Sequence, residues 1–355
     1  MKIESISARI EKIELSRPYA IAFRDIGDVS IGVVEVCAEG GLVGRGAASP
    51  EPYVTGESIE RVSEVFGDLD GLTGRDARQV RALCREIEAR AGDAPAARAA
   101  VDMALCDLFA QRVGLPLVEL LGRAHDGLPT SVTIGISSVD DTLAEAREYT
   151  ARGFRVLKIK LGRELAEDLE RVRRLRAELP RGIALRVDAN RGYDASELAR
   201  FVRETEELDV EFIEQPSPPS RTDELRGLGE PIRARLAADE SLLAPADALA
   251  LLSRPRPFGI WNIKLMKCGG VLPALRIAEL AELSGTALMW GCNDESRISI
   301  AAALHAALAS PATRYLDLDG HLDLAWDVAT SGGFVLEDGV LRPSGGPGLG
   351  LTGAQ

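Results

Sequence analysis

Eight short β-rich runs, each followed by a helical stretch, constrain this chain more than any other feature. They are TSVTIGI, RVLKIKLG, ALRVDAN, VEFIEQP, RLAADES, IWNIKLM, ALMWGC and TRYLDLDG, in that order from Thr130 to Gly320. Their spacing averages about 25 residues, the length one β-α unit needs, and eight such units close a parallel barrel. The chain therefore reads as α/β, with a (β/α) barrel of modified TIM type over residues 128–320. Before the barrel the style differs. SIGVVEVCAEGGLVGRGAAS holds two β-rich runs around Gly40-Gly41, a hairpin signal. ESIERVSEVF, DARQVRALCREIEARA and AARAAVDMALCDLFAQRV then carry apolar residues at helical spacing. Residues 1–127 are thus expected to form an α+β capping domain, and residues 321–355 a strand-and-turn segment packing back on it.

In such barrels chemistry sits at the C-terminal ends of the strands. Here those ends are polar where the preceding residues are apolar. The second run ends with Lys158 and Lys160, the third with Asp188 and Asn190, the fourth with Glu214, the fifth with Asp239 and Glu240, and the sixth with Lys264. Lys158 and Lys160 are two apart, so both point to one side of the pleat. An unpaired buried ammonium costs several kcal/mol, so two together need an anion or partial neutrality. Asp188, Glu214 and Asp239 come from three adjacent strands and can converge on one point. Three anions require a cation, and an all-oxygen donor set favours Mg²⁺. Zinc is disfavoured because His125, His305 and His321 fall outside these strand ends. Taken singly, each acid could equally cap the next helix, and the lysine pair alone could reach toward solvent. The combination, with Lys264 on the far side of the barrel, is harder to explain in those terms.

The formal net charge of −13 argues against nucleic acid or an anionic membrane as partner. Five scattered cysteines without a CxxC pair fit reduced thiols in a cytoplasm, and the opening MKIESISARIEKIEL has no signal-peptide apolar core. A small-molecule substrate and a homo-oligomeric assembly are the expected partners.

The ordered set KIK, VDAN, EQP, ADES and NIKLMKCGG resembles the enolase superfamily, in the subgroup of the muconate lactonizing enzymes, and the likeness runs through nearly the whole chain. YLDLDG after the eighth run looks like the Asp-x-Asp motif of the dipeptide epimerases within that subgroup. The resemblance implies that Asp188, Glu214 and Asp239 bind Mg²⁺ and that Lys160 and Lys264 are the acid/base pair. It further implies that Lys158 steadies the substrate carboxylate and that Asp317 and Asp319 hold the dipeptide's ammonium. Thr133, Cys292 and Asp294 would lie along the substrate.

The implied reaction is a two-base 1,1-proton transfer through an enediolate, inverting the α-carbon of the C-terminal residue of a dipeptide. A positioned base contributes about 10²- to 10⁴-fold, or roughly 3 to 5 kcal/mol, so most of the barrier must fall to charge stabilisation. The enolase superfamily is a standard illustration of a Lys base paired with Mg²⁺. A lysine base must be neutral, and Lys158 and the metal are expected to depress the protonation of Lys160. Arg24 sits where Ala-Glu epimerases place an arginine for the glutamate side chain. Asp25, Asp28, Glu51 and Asp294, expected to border the pocket, argue instead for Lys- or Arg-containing dipeptides, and the balance leans slightly that way. An o-succinylbenzoate synthase or N-acylamino acid racemase would leave the Asp pair without an ammonium to hold. A Schiff-base aldolase using Lys160 or Lys264, and a non-catalytic Mg²⁺-dependent binding protein, are rivals of other classes.

Overall fold

The computed structural model describes residues 1–21 and 25–354. It opens with a three-stranded antiparallel sheet, Ile3–Ala20, Asp25–Ala38 and Leu42–Ala48. The last two are joined through Gly40 and Gly41, both at positive φ, as the hairpin signal predicts. The GRG of the third strand has a packing reason. A Cβ at Gly44 would lie 2.0 Å from Ala104 O, and one at Gly46 1.8 Å from Ala100 O, so the long helix Pro95–Val113 rests directly on the sheet. That helix is buried almost all round and rich in alanine, as close approach requires.

The eight runs form one parallel sheet in sequence order: Val132–Ile134, Val156–Lys160, Ala184–Asp188, Val210–Glu214, Leu236–Ala238, Ile260–Ile263, Ala287–Gly291 and Thr313–Asp317. They are the first to eighth barrel strands below. Ser131 N donates to Leu316 O at 3.0 Å and Thr130 bridges Leu316 in parallel, which joins the eighth strand to the first. Side chains alternate inward and outward, so the interior is layered. Phe212, Ala237, Ile260 and Met289 make a small apolar floor, with Tyr315 packed against it and Arg186 stacked 4.9 Å from the Tyr315 ring and 5.4 Å from that of Phe212. One inward layer higher stand the polar residues. Register sets them side by side: Thr133 opposite Lys158, Lys160 opposite Asp188, Asp188 opposite Glu214 and Gly291 opposite Asp317.

After the barrel, Phe334–Glu337 pairs with Val340–Pro343, which pairs in turn with Leu128–Pro129, while Leu349 N donates to Asp107 Oδ1 of the long helix at 2.7 Å. Among the described residues no helix is long and apolar enough to cross a membrane.

Candidate active site

A cleft open to solvent, with about 970 Å³ of empty space once the solvent at its mouth is included, lies over the C-terminal ends of the strands. Lys158, Lys160, Asp239, Lys264, Cys292, Asp294, Asp317, Asp319 and Thr133 all line it, and the N-terminal domain roofs it with Tyr19, Ile21, Ile26, Glu51 and Val54. Asp188 and Glu214 lie beneath this lining, fully buried. Arg24 falls outside the described residues.

The floor of the cleft is a lattice of ammonium and carboxylate groups. Lys158 Nζ is 2.7 Å from Asp317 Oδ2, 2.7 Å from Glu214 Oε2 and 3.3 Å from Asp188 Oδ2. Lys160 Nζ reaches Asp188 Oδ2 at 2.7 Å and Lys264 Nζ reaches Asp239 Oδ2 at 3.0 Å. Burial opposes the charge on Lys158, but Asp317, Glu214 and Asp188 overcome it and hold its pKa well above the ordinary lysine value. Lys264 is likewise raised, burial being outweighed by Asp239 and Glu214. Around Lys158, then, carboxylates outweigh burial and keep the ammonium charged. The sequence displays two cations on one strand, but the counter-charges come from three other strands. The acids respond in turn: Asp239 and Asp188 are lowered despite burial, by Lys264 and Lys267 in one case and by Lys160 and Lys158 in the other. Glu214 is raised, by burial and by Asp188.

The donor set fits a hard divalent cation. Asn190 Oδ1, Glu214 Oε2 and Glu240 Oε2 are buried acceptors without a hydrogen-bond donor; Lys158 Nζ lies close to Glu214 Oε2 but outside hydrogen-bond geometry. Among the described residues no three acids are already arranged as a formed cage; lysine ammonium groups lie against these oxygens instead.

Two residues that the sequence reading assigned no role hold the acids in place. Lys267 Nζ reaches Asp239 Oδ1 at 2.5 Å, Asp239 O at 2.7 Å and Asn262 O at 3.0 Å. It follows Lys264 by one helical turn, the spacing that returns a side chain to the same face. Asn262 Nδ2 donates to Glu214 Oε1 at 2.7 Å. Asn262 precedes Lys264 by two, so N-I-K carries the same signal as K-I-K.

Across the cleft, Ser131 Oγ donates to Asp317 Oδ1 at 2.6 Å and Thr133 N to Asp319 Oδ2 at 2.6 Å. Burial and the neighbouring Asp317 raise Asp319 to about 7. Cys292 Sγ donates to Asp317 O at 3.2 Å and accepts from Gly320 N at 3.3 Å, so it buttresses the Asp-x-Asp turn. Its thiol is pushed well up by burial, which leaves a poor nucleophile. Asp294 accepts from Tyr19 Oη at 2.9 Å and is raised to about 6 by burial. Ser49 Oγ donates to Asp294 O at 2.5 Å and Asn293 Nδ2 to Ser49 O at 3.0 Å, so the roof is tied to the loop after the seventh strand. Of the four acids expected at the border, Glu51 and Asp294 line the cleft. Asp25 and Asp28 do not: Asp25 faces Arg163 at 3.6 Å and Asp28 pairs with Lys12 at 3.2 Å across the sheet. Glu145 and Asp323, which no local pattern singles out, take up positions in the wall.

This fold and this constellation define a class. Residues 5–122 match the family described as the N-terminal domain of mandelate racemase / muconate lactonizing enzyme, and residues 141–354 the enolase C-terminal domain-like family. The chain belongs to the enolase superfamily, in the mandelate racemase and muconate lactonizing enzyme branch. Within that branch it is 60% identical to the L-Lys-D/L-Arg epimerase of Methylococcus capsulatus, over 99% of each chain, and 51% identical to an L-Lys-D/L-Arg epimerase of Desulforapulum autotrophicum, again over 99% of each. Its fold matches a crystal structure of the dipeptide epimerase from Methylococcus capsulatus complexed with Mg and the dipeptide L-Arg-D-Lys, with a TM-score of 0.97 at 60% identity, covering 99% of this chain and 100% of that one.

Proposed function

We propose that this protein is a Mg²⁺-dependent dipeptide epimerase that inverts the α-carbon of the C-terminal residue, acting on dipeptides with Lys or Arg side chains. One observation carries the reading. Lys160 ends the second of eight strands and Lys264 follows the sixth, so the two amines stand on opposite sides of one cleft. Between them in one direction run the strands of Asp188, Glu214 and Asp239; in the other, the strands of Asp317 and Thr133.

That ring orders the substrate. Its carboxylate belongs toward the third to fifth strands, its ammonium toward Asp317 and Asp319, and its α-carbon between the lysines. Asp188, Glu214 and Asp239 would hold Mg²⁺, which supplies stabilisation of the second negative charge that builds on the carboxylate as the α-proton leaves. The chain's own groups do the rest. One lysine removes the proton from one face and the other delivers a proton to the opposite face, so the stereocentre inverts. Lys158, charged and buried, faces the carboxylate end and opposes the build-up of negative charge there. Asp317 and Asp319 form a charge-assisted clamp on the ammonium.

The cationic preference is supported by the relatives' stated substrates and by the acids of the cleft wall, Glu51, Glu145, Asp294 and Asp323, against which Arg17 is the neighbouring cation. Incubating the protein with L-Lys-L-Arg and with L-Ala-L-Glu in D₂O, with Mg²⁺ present, tests it by mass spectrometry. Deuterium should enter one α-position of L-Lys-L-Arg with inversion; an equal or higher kcat/KM for L-Ala-L-Glu would overturn the preference, and no exchange in any dipeptide would overturn the reaction. Residence in the cytoplasm, which the five free thiols support, and assembly into a homo-oligomer belong to the same proposal; light scattering reads the latter.

A further inference from the structure

We propose that Asp323, with Glu145 beside it, takes the cationic side chain of the dipeptide's N-terminal residue and sets the preference at that end of the substrate. This rests on the epimerase reading and deepens it.

Topology supplies the first argument. Asp323 follows the eighth strand and Glu145 lies on the helix Val139–Ala151 that follows the first. Those two strands meet where Ser131 N bonds to Leu316 O. Both acids therefore stand at the seam of the barrel, beside Asp317 and Asp319 and away from the acids of the third to fifth strands. An ammonium clamped by Asp317 and Asp319 is the N-terminal residue's own, so the side chain nearest the seam is that residue's as well.

Asp323 is itself held ready for a ligand. Its backbone is pinned: Asp323 O accepts from Ser16 N at 2.7 Å and from Ser16 Oγ at 3.1 Å, and the preceding Leu322 N donates to Asp319 O at 2.8 Å. Yet among the described residues no hydrogen bond or ion pair reaches its carboxylate, which lines the cleft half-buried. A positioned carboxylate with no hydrogen bond or ion pair of its own, and only Arg17 and Arg152 acting on it from farther off, is on the wall of a substrate cleft a receptor for a cation.

Third, the same wall already accommodates a guanidinium. Arg17 donates to Glu145 Oε1 at 3.1 Å, to Tyr149 Oη at 3.2 Å and to both oxygens of Glu148 at 2.8 and 2.9 Å, and it lies 5.4 Å over the Tyr149 ring. Arg152 also lies 3.6 Å from Glu148 Oε1, so Glu145 and Glu148 offset Arg17 and Arg152, which leaves the charge of Asp323 available to a further cation. Asp294, after the seventh strand, is already engaged by Tyr19.

A two-by-two substrate comparison tests the assignment. For Asp323→Asn, the ratio of kcat/KM for L-Lys-L-Arg over that for L-Ala-L-Arg should fall roughly 10- to 100-fold relative to the unmodified protein, the scale of a lost charge-assisted bond. The ratio of L-Lys-L-Arg over L-Lys-L-Ala should change by much less. A uniform loss on all four, including L-Ala-L-Ala, would mean that Asp323 merely positions Arg17 or the segment after Asp319, and would overturn the proposal. A selective loss at the C-terminal residue would overturn it too. Should Asp323→Asn fail to fold, Glu145→Gln is expected to shift the first ratio in the same direction, and an unchanged ratio there counts against the assignment. Failure of the epimerase reading shows separately, as absent exchange in the unmodified protein.

Discussion

The two sides of the barrel mouth are built differently. On the side of the third to fifth strands, Asp188 and Glu214 are the last residues of regular strands, Asp239 comes one residue after its strand, and all three are fully buried, Glu214 braced by Asn262 and Asp239 by Lys267. On the seam side, Asp319, Asp323, Glu145 and Arg17 sit in a turn, a loop, a helix and the N-terminal sheet, and the groups farthest out are half-exposed. On the proposed reading the first side takes the carboxylate and the α-carbon, and the second takes the ammonium through Asp317 and Asp319 and, farther out, the side chain that varies. The proposed reading thus gives the chemistry to rigid, strand-borne groups and the choice of substrate to assembled, loop-borne ones.

The largest expected effect would break that division outright. Lys160→Ala and Lys264→Ala should each reduce epimerisation of L-Lys-L-Arg by about 10²- to 10⁴-fold or more, while each variant still exchanges the α-proton of one epimer with D₂O. Full activity in either would end the two-base assignment. Next comes the cation: chelation with EDTA should abolish turnover and Mg²⁺ restore it. Glu214→Gln should raise the Mg²⁺ concentration for half-maximal activity at least about 10-fold, given what even outer-shell changes cost. Asp319→Asn sharpens the contrast, with a loss in kcat/KM of roughly 10- to 100-fold for free dipeptides and a much smaller one for their N-acetylated forms; equal losses would deny the ammonium clamp.

The smallest effect lies outside both sides. Asp102 of the long helix accepts from Val271 N at 2.6 Å and so caps the helix that follows Lys264, and burial raises it to about 7 despite these bonds. A carboxyl whose folded pKa exceeds its unfolded value of about 3.9 binds more protons in the folded state between the two. Its contribution to stability therefore falls as pH rises from about 4 to about 7. Asp102→Asn should flatten the dependence of Tm on pH across that window, as thermal melts at its two ends would read; an unchanged slope would contradict the assignment.

Legibility in the sequence follows the same division. Strand-end groups announce themselves because a period of two against an apolar background isolates them, as in KIK and NIK, and their order along the chain is their order around the barrel. Lys267 escaped because its link to Lys264 runs through a helical turn just beyond the strand. The seam wall escaped for another reason: Ser16 and Asp323 are 307 positions apart, and Arg17 and Glu145 are 128 apart. No local pattern marks such pairs. Asp25 and Asp28 failed as pocket acids because proximity in sequence to the roof says nothing about which face of a sheet a carboxylate leaves by.

The closure between Ser131 and Leu316 has a consequence for order of assembly. Those residues are 185 positions apart, so the ring shuts only by tying a very long loop, an entropically demanding event that belongs late in folding. A mutation or solvent that springs the ring at this join should therefore blur discrimination among peptides before it disturbs the acids across the mouth.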